Sequence, residues 1–313
     1  MPHEAPMPFR RGHLRYFVTV AEEGQITRAA ERLHIAQPAL SQAIAHLECD
    51  LGFQLLERHP RGVTLTPAGE VFLEKARAVL AANEDAVLTA ESLARTEDGT
   101  IVFGYLGLPP PASDPGLIEA FAKAHPDVQL APQELPFPSL PTASWLREVD
   151  AAICSRPAAD PNVTFQTLRT EPRIVLAPKG HPLAKRRELT VEELLDETFI
   201  GFHRSIDPAW AGFWSLDDHR GGQAPHIVGE AANAQQRFEM LAAGRGIAIT
   251  PAYIAAIVKV LPSVVAIPLT DADPVIIALL ARKDRQSAHV EALFATARQL
   301  AAQVSDDPLP ADA

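Results

Sequence analysis

Apolar positions in the first seventy residues recur at helical spacing and predict three helices in succession. The first helix carries its apolar residues at i, i+3, i+4 and i+7, on one face: Leu14, Phe17, Val18 and Ala21. A short second helix is expected after Gly24, with Thr27 as its N-cap. Pro38 suits the first turn of a third helix, where its missing N–H costs no hydrogen bond, and Gly52 ends that helix. Two helices joined by so short a turn predict a helix-turn-helix.

Polar side chains near the start of the third helix are the first candidate functional residues. In helix-turn-helix proteins this end of the recognition helix reaches base edges in the major groove, where amides and hydroxyls can read bases. The alternative is a solvated helix face. A basic hairpin at residues 55–65 favours DNA binding, because arginines at such a tip can hold phosphates or enter a minor groove. The candidate DNA-binding residues are Thr27, Arg28, Gln37, Pro38, Ser41, Gln42, Arg58 and Arg61.

Residues 67–95 predict one long helix, capped by Thr66, because no glycine or proline follows Gly69 in this stretch. Its apolar and small residues follow a heptad seam of Phe72, Ala76, Val79, Asn83, Ala86, Ala90 and Leu93, widened by Leu73, Leu80 and Val87. A heptad seam specifies a partner helix, so this helix is expected to dimerise, with Asn83 able to set the register. The alternative is an ordinary core helix that packs on the domain behind it.

After residue 99 the pattern changes to alternating strands and helices, which predicts an α/β fold with two sheets. The predicted strands cover residues 100–106, 128–135, 150–154, 163–168, 173–177, 198–202, 227–229, 246–250, 264–267 and 274–281. The predicted helices cover residues 115–125, 191–195, 208–214, 234–243, 251–258 and 286–303.

A resemblance to a known family is carried by residues 14–69, LRYFVTVAEEGQITRAAERLHIAQPALSQAIAHLECDLGFQLLERHPRGVTLTPAG. They resemble, almost position for position, the winged helix-turn-helix of LysR-type transcriptional regulators. The resemblance is dense over about a fifth of the chain and looser elsewhere. It implies a homotetrameric DNA-binding protein that responds to a small molecule. It also implies a periplasmic-binding-protein-like effector domain, in which two lobes share a cleft.

The predicted fold class is therefore multi-domain. An N-terminal all-α winged helix-turn-helix occupies residues 11–69, a dimerising linker helix residues 70–97, and a C-terminal α/β two-lobed effector domain residues 98–306. Lobe I is expected at about 98–170 and 271–306, and lobe II at about 171–270. The partners implied are double-stranded operator DNA and further copies of this chain in a dimer and a tetramer. RNA polymerase is a candidate partner.

Charge is distributed unevenly between these parts. The net charge is −11, yet residues 1–66 hold seven arginines and seven acidic residues, so the whole excess lies beyond them. A neutral head on an acidic body attracts phosphate weakly in bulk. DNA affinity is therefore expected to depend on the placement of individual arginines and on presenting several heads together.

Candidate effector residues follow from where ligands bind such folds, namely strand C-terminal ends and helix N-termini. Three segments meet that description and match the pocket segments implied by the resemblance: Gly107 and Leu108; Phe202, His203, Arg204 and Ser205; Asn233, Gln235 and Thr250. We expect a small organic anion, with Arg204 on its carboxylate and Ser205 or Asn233 orienting it. The alternatives are a surface ion-pair partner for Arg204, an N-cap for Asn233 and a strand-end hydroxyl for Thr250.

Two proline-rich segments depart from the family pattern. Family members usually place Ser or Thr after the first strand of the effector domain, whereas residues 107–111 read GLPPP and the nearest hydroxyl is Ser113. Residues 136–141 are also rich in proline where a regular helix is expected. Both departures put lobe I's side of the effector pocket in doubt, and they favour an unusual effector or a looser pocket.

Other functional classes fit the sequence less well. No nucleophile elbow, P-loop, dinucleotide fingerprint or zinc-protease motif occurs, so no catalytic residue is predicted. The two cysteines, Cys49 and Cys154, are too few for a structural zinc site, and no cofactor or metal is expected. A solute-binding protein would share the cleft fold, but the DNA-reading head and the lack of a signal peptide or apolar span argue against it. A cytoplasmic protein is expected.

Overall fold

The computed structural model describes residues 11–60, 62–107, 114–140, 142–155, 160–259 and 262–306. The chain separates into two compact units, Met1–Thr89 and Ala90–Ala313. Each unit has its own apolar core, one built from the N-terminal helices and hairpin and one from the strands and helices that follow. Among the described residues, no helix is both long and apolar enough to cross a membrane.

The first unit is a winged helix-turn-helix. Its elements are α1 (Arg11–Glu23), α2 (Ile26–Leu33), α3 (Gln37–Leu51), β1 (Leu56–His59), β2 (Gly62–Leu65) and α4 (Pro67–Glu97). The three predicted helices are confirmed, and their predicted apolar stripes bury Leu14, Phe17, Leu40 and Ile44 almost completely. Thr27 as the N-cap is wrong. The N-cap position lies two residues earlier, at Gln25 in the extended conformation, so Thr27 lies exposed in the first turn.

Two backbone contacts fix the hairpin, called the wing below, against the helices. The buried carboxylate of Glu48, on α3, accepts hydrogen bonds from the N–H groups of Leu55 and Leu56 at 2.8 and 3.1 Å. On the other side, the φ angle of Gly62 is +143°, and a Cβ there would lie 2.3 Å from the carbonyl oxygen of Gly24. Only glycine fits so close an approach. The wing and α3 are therefore held in one fixed arrangement.

Helix α4 runs for 31 residues, about 46 Å, and the Thr66 hydroxyl caps it by accepting the Gly69 N–H at 2.9 Å. Part of the predicted seam does not face a partner helix. Its first positions, together with two of the widening residues, pack on the core of the chain's own head: Phe72, Leu73, Ala76 and Leu80. The Phe72 ring lies 5.5 Å from that of Phe17. Heptad spacing shows that one face of a helix is apolar, but it does not say what covers that face.

The second unit contains ten strands in three sheets among the described residues. They are β3 (Thr100–Tyr105), β4 (Gln129–Glu134), β5 (Ala151–Ser155), β6 (Val163–Glu171), β7 (Arg173–Pro178), β8 (Thr198–Phe202), β9 (His226–Ala231), β10 (Ala248–Pro251), β11 (Val264–Pro268) and β12 (Val275–Arg282). The strand orders are β4-β3-β5-β12-β6, β10-β7-β11 and β8-β9. A single bridge from Phe199 to Ile247 joins the second and third sheets into one lobe.

Six α-helices flank these strands in the described part of the unit: α5 (Pro115–Ala124), α6 (Thr142–Trp145), α7 (Pro208–Trp214), α8 (Ala234–Ala242), α9 (Ala255–Val258) and α10 (Ala288–Asp306). Two predicted helices are shorter than expected. Residues 191–195 form only the 3₁₀ turn Glu192–Leu194, and residues 251–258 divide into the 3₁₀ turn Ala252–Ile254 and α9. The proline-rich segment before α6 contains no regular helix, since proline lacks the N–H that a helix interior needs.

The chain crosses between the two lobes twice. It leaves the five-stranded sheet after β6, passes Pro172 and enters β7, and it returns between β11 and β12. Arg173 holds the two crossings together, because its Nε donates to the carbonyl oxygen of Asp273 at 2.8 Å. The two lobes of the effector unit therefore meet along a short double connection with a cavity beside it.

Candidate DNA-binding surface and effector cavity

The predicted DNA-reading side chains lie together on the outer face of the first turns of α3. Gln37, Pro38 and Gln42 are exposed and Ser41 is half-buried. The Gln37 amide donates to the Ser41 hydroxyl at 3.0 Å, so two of the four side chains already form a pair. Arg58 is exposed on β1, whereas Arg61 lies outside the described residues. This surface is polar and open, and it offers both donors and acceptors.

The arginines of the head divide into two groups. Arg32 forms ion pairs with Glu22 and Glu23, both at 3.0 Å, so its charge is balanced within the head. Arg28 and Arg58 are exposed and form no ion pair with any described residue. These two cations are free to meet phosphates, and they lie on α2 and on the wing, on either side of α3 in the sequence.

A small cavity, with about 50 Å³ open to water-sized molecules, lies in the effector unit. Residues of both lobes line it: lobe I contributes Gly107, Phe137 and Ser155, and lobe II contributes Trp210, Arg237 and Thr250. Two of the predicted effector residues, Gly107 and Thr250, are thus brought together here. Gly107 has a φ angle of +73° and its Cβ position would lie 3.3 Å from the Cβ of Ala234, so it lets lobe I approach α8 closely.

One wall of the cavity is aromatic. The rings of Phe137, Phe202 and Trp210 lie 5.1–5.3 Å apart, and Trp214 adds a fourth ring at 5.7 Å from Trp210. The Trp210 indole N–H donates to the carbonyl oxygen of Ser155 at 2.8 Å, which ties α7 to the end of β5. Phe202, a third predicted effector residue, therefore belongs to the ring cluster behind the cavity.

The proline-rich segment of lobe I supplies part of this wall. The Phe137 N–H donates to the carbonyl oxygen of Ala232 at 3.0 Å, and the carbonyl oxygen of Pro138 accepts the Asp207 N–H at 2.8 Å. Both acceptor–donor pairs join lobe I to lobe II. The proline-rich segment, whose departure from the family pattern put the pocket in doubt, therefore forms part of the aromatic wall of the cavity. Periodicity alone could not place Phe137 there.

Arg237 is the charged residue of the cavity, and the sequence analysis missed it. It is 8% exposed, and its guanidinium stacks on the Phe202 ring at 4.3 Å. Its Nη1 donates to the carbonyl oxygen of Ile249 at 3.1 Å, but Nε and Nη2 are buried without a partner among the described residues. Burial lowers the pKa of Arg237 to about 9, so the side chain is still a cation at neutral pH. The sequence signal for its burial was that Arg237 lies four residues before the buried Leu241, on the same face of α8.

The remaining predicted effector residues do not line this cavity. Arg204 and Ser205 are exposed, and His203 Nδ1 contacts the Ser205 hydroxyl at 2.8 Å in a local turn. Asn233 caps α8 by accepting the Gln236 N–H at 3.0 Å, and Gln235 donates to Glu239 at 2.9 Å. Asn233 thus has the structural role of N-cap that was weighed as its alternative, and Gln235 makes a local contact within α8. Leu108 lies outside the described residues.

The two cysteines differ in their surroundings. Cys49 is exposed on α3, whereas Cys154 is buried in β5. Burial raises the pKa of the Cys154 thiol, because an anionic thiolate is poorly solvated there. Within the described parts of the chain, no group of histidine, cysteine and carboxylate side chains is placed to hold a metal ion.

A winged head with a polar recognition helix, followed by a two-lobed unit with a cavity lined by both lobes, defines the class of effector-responsive DNA-binding regulators. Two family models match this chain. The bacterial regulatory helix-turn-helix of the lysR family matches residues 12–70, and the LysR substrate binding domain matches residues 94–302. The chain belongs to the LysR family of transcriptional regulators. It is a DNA-binding regulator with an effector domain and not an enzyme.

Curated relatives and solved structures agree over nearly the whole length. BenM of Acinetobacter baylyi is 32% identical over 295 residues, which cover 92% of this chain and 95% of BenM. AlsR of Bacillus subtilis is 32% identical over 76% of this chain and 79% of AlsR. The crystal structure of CbnR has a TM-score of 0.59 at 25% identity, covering 94% and 99% of the two chains. Full-length BenM has a TM-score of 0.51 at 29% identity, covering 96% and 100%. The predicted family and fold class are confirmed.

Proposed function

We propose that this regulator binds operator DNA through the start of α3 and the wing, and that a small organic anion in the cavity changes that binding. The observation that carries the first part is the open polar face of α3 beside two arginines without an ion pair among the described residues. The proposed domains are the winged head at 11–69, the linker helix at 70–97 and the effector domain at 98–306.

Each residue of the head has a proposed role. Gln42 and Ser41 read base edges in the major groove, with Gln37 and Pro38 beside them. Arg28 and Arg58 hold phosphates on either side of the recognition helix, and Thr27 and Arg61 are further candidate contacts. CbnR, a LysR family regulator of similar structure, has been solved in complex with its target DNA, which supports this mode of binding.

Assembly is proposed to use the part of α4 that the head leaves uncovered. Val79, Val87 and Leu93 are exposed by 49–63% although they are large and apolar. The amide oxygen of Asn83 is buried without a partner among the described residues, which suits a position on the seam that meets a second chain. We propose a dimer through this stripe and a tetramer through the effector domains, so that several neutral heads act together.

Strand β5 is the proposed route between the cavity and the linker helix. Just before its start, the buried Asp150 accepts hydrogen bonds from the Ser92 hydroxyl, on α4, and from the Val102 N–H at 2.8 Å. At its end, Ser155 lines the cavity and binds Trp210. A ligand that moves Ser155 would therefore also bias the end of α4. This is a linked two-site mechanism, in which ligand and DNA change each other's affinity.

A salt-graded gel shift of the full chain tests the DNA-binding part. The probe is the duplex upstream of the protein's own gene, and the control is a scrambled duplex of the same length. We expect tighter binding to the upstream duplex at every salt concentration, and a linear fall of log affinity with log salt. Equal affinity for both duplexes would overturn the assignment of Ser41 and Gln42 as base-reading residues.

The regulator is proposed to act in the cytoplasm, at promoters, beside RNA polymerase. Single-round transcription with purified polymerase, with and without the regulator, tests this partner. A change in transcript from the upstream promoter, and none from a promoter without the operator, is expected. No change at either promoter would remove polymerase from the proposed partners while leaving the DNA-binding result intact.

A further inference from the structure

Two side chains in the wall of the cavity carry hydrogen-bond donors that have no acceptor in the described part of the chain. The Nε and Nη2 groups of Arg237 and the indole Nε1 of Trp214 are buried without a partner among the described residues, and both side chains line the cavity. Buried polar groups in proteins are nearly always satisfied, because an unmade hydrogen bond is costly. Two such side chains in one cavity indicate that an acceptor from outside the chain completes the site.

The missing acceptor must also carry charge. The only hydrogen bond of the Arg237 guanidinium within the described chain goes to a neutral carbonyl, that of Ile249. Its contact with the Phe202 ring is a cation–π interaction, in which the ring attracts the guanidinium but carries no net negative charge. Burial is also the only influence resolved on its pKa, with no contribution from a carboxylate. A buried cation without a counter-ion favours an anionic ligand strongly.

The shape and lining of the cavity describe the rest of that ligand. Phe137 and Trp210 offer ring faces and edges, which prefer another aromatic ring in offset or edge-to-face contact. The space open to water-sized molecules is only about 50 Å³, below the roughly 300–1,000 Å³ typical of small-molecule sites. The cavity therefore limits the ligand to a compact one, with a single ring and one acidic group.

We infer that the cavity holds a small aromatic carboxylate, whose carboxylate lies between the guanidinium of Arg237 and the indole N–H of Trp214 and whose ring packs on Phe137 and Trp210. This inference rests on the proposed function of the cavity as the effector site. The planar guanidinium presents Nε and Nη2 side by side, which matches the two oxygens of a carboxylate. Arg204, which the sequence suggested for this role, is exposed and does not line the cavity.

Calorimetric titration of the full chain with four probes tests the ligand class. The probes are benzoate, its uncharged isostere benzamide, cyclohexanecarboxylate and acetate. Benzoate is expected to bind tightest. Benzamide should bind at least about 10-fold more weakly because it lacks the charge, and acetate should be weaker than benzoate because it lacks the ring. Equal affinity for benzoate and benzamide, or no binding of either ring-bearing carboxylate at millimolar concentration, would overturn the inference.

Three variants test the residues. We expect Arg237→Gln to weaken benzoate binding by about 100-fold and Trp214→Phe, which removes the unpartnered N–H but keeps a ring, by about 10-fold. The matched control, Arg204→Gln, removes an exposed arginine and should stay within twofold of the parent protein. A loss in Arg204→Gln that equals the loss in Arg237→Gln would move the site out of the cavity.

The same variants separate a binding role from a structural one. Without ligand, Arg237→Gln should melt no lower than the parent protein, because it removes an unpaired buried cation. If Arg237→Gln instead melts much lower, its loss of binding could reflect lost stability, and Trp214→Phe becomes the deciding variant. Unchanged benzoate affinity in Trp214→Phe would overturn the inference. Gel shifts without ligand test DNA binding separately from the ligand class. If the parent protein selects the upstream duplex but binds no carboxylate, the ligand assignment is wrong and the proposed DNA-binding function stands.

Discussion

The head arginines proposed to bind DNA and the cavity arginine proposed to bind the effector lie in opposite physical settings. Arg28 and Arg58 are exposed to solvent, whereas Arg237 is buried against Phe202 in an apolar cavity. Exposed charges are screened within about 8 Å at physiological salt, so each contributes little and several must act together. A buried charge interacts in a low dielectric, so one residue can select its ligand. If both proposals hold, the regulator reads DNA with many weak contacts and a small molecule with few strong ones.

The largest effect is expected from separating the paired heads. Val79→Asp with Val87→Asp places two charges on the exposed apolar stripe of α4, and the dimer should dissociate at least about 100-fold more readily. DNA affinity should fall with it, because weak contacts from two heads no longer add. Analytical ultracentrifugation and gel shifts measure both effects.

A matched control exists for this change on the same helix. Ala81→Asp lies about 200° around α4 from Val79 and should leave the dimer intact. Phe72→Asp is unsuitable as a test, since Phe72 packs on Phe17 and its loss would unfold the head. A doubly substituted protein that sediments as the parent does would show that α4 is not the pairing element.

The next largest effect concerns the anchor of the wing. Glu48→Ala leaves the N–H groups of Leu55 and Leu56 without their acceptor, at a cost of about 2–4 kcal/mol to the head's free energy of unfolding. Calorimetry should show the head's transition at lower temperature, with the effector unit's transition unchanged. The exposed Glu57→Ala is the control. A shift of both transitions would show that the two units do not unfold independently.

A smaller loss is expected from the base-reading face. Gln42→Ala and Ser41→Ala should each weaken operator binding by roughly 1–3 kcal/mol and relax the base preference, because they remove contacts to base edges. His46→Ala, exposed one turn further along α3, is the control. Binding measured on the upstream duplex and on random DNA separates the outcomes, and an equal loss on both would mean that neither side chain reads bases.

The smallest effect is expected from a single exposed arginine, and it sharpens the contrast with Arg237. Arg58→Ala should reduce the slope of log DNA affinity against log salt by about 1, without changing which sequence is preferred. Benzoate affinity, measured in the same protein, should change little with salt because the cation proposed to bind benzoate, Arg237, is buried. A benzoate affinity as salt-dependent as DNA affinity would contradict the distinction between the two sites.

Sequence alone was enough for features that depend on near neighbours. The helix-turn-helix followed from apolar residues three and four apart and the start of α4 from the cap by Thr66, whereas the two lobes were implied by the family resemblance. One such local prediction was wrong: the N-cap position predicted for Thr27 is occupied by Gln25. The spacing of apolar residues along a helix shows which face is buried, because residues three or four apart lie on the same face.

Only the tertiary structure decided what each buried face meets. The heptad pattern of α4 could not show that Phe72 packs on its own head while Val79 stays open. The cavity joins Phe137, Trp214 and Arg237, which are a hundred residues apart at the extremes and come from different elements. Burial, the aromatic wall and the unpaired donors arise when these segments pack together. Local spacing carries no information about such contacts, so an exposed arginine was favoured where a buried one lines the cavity.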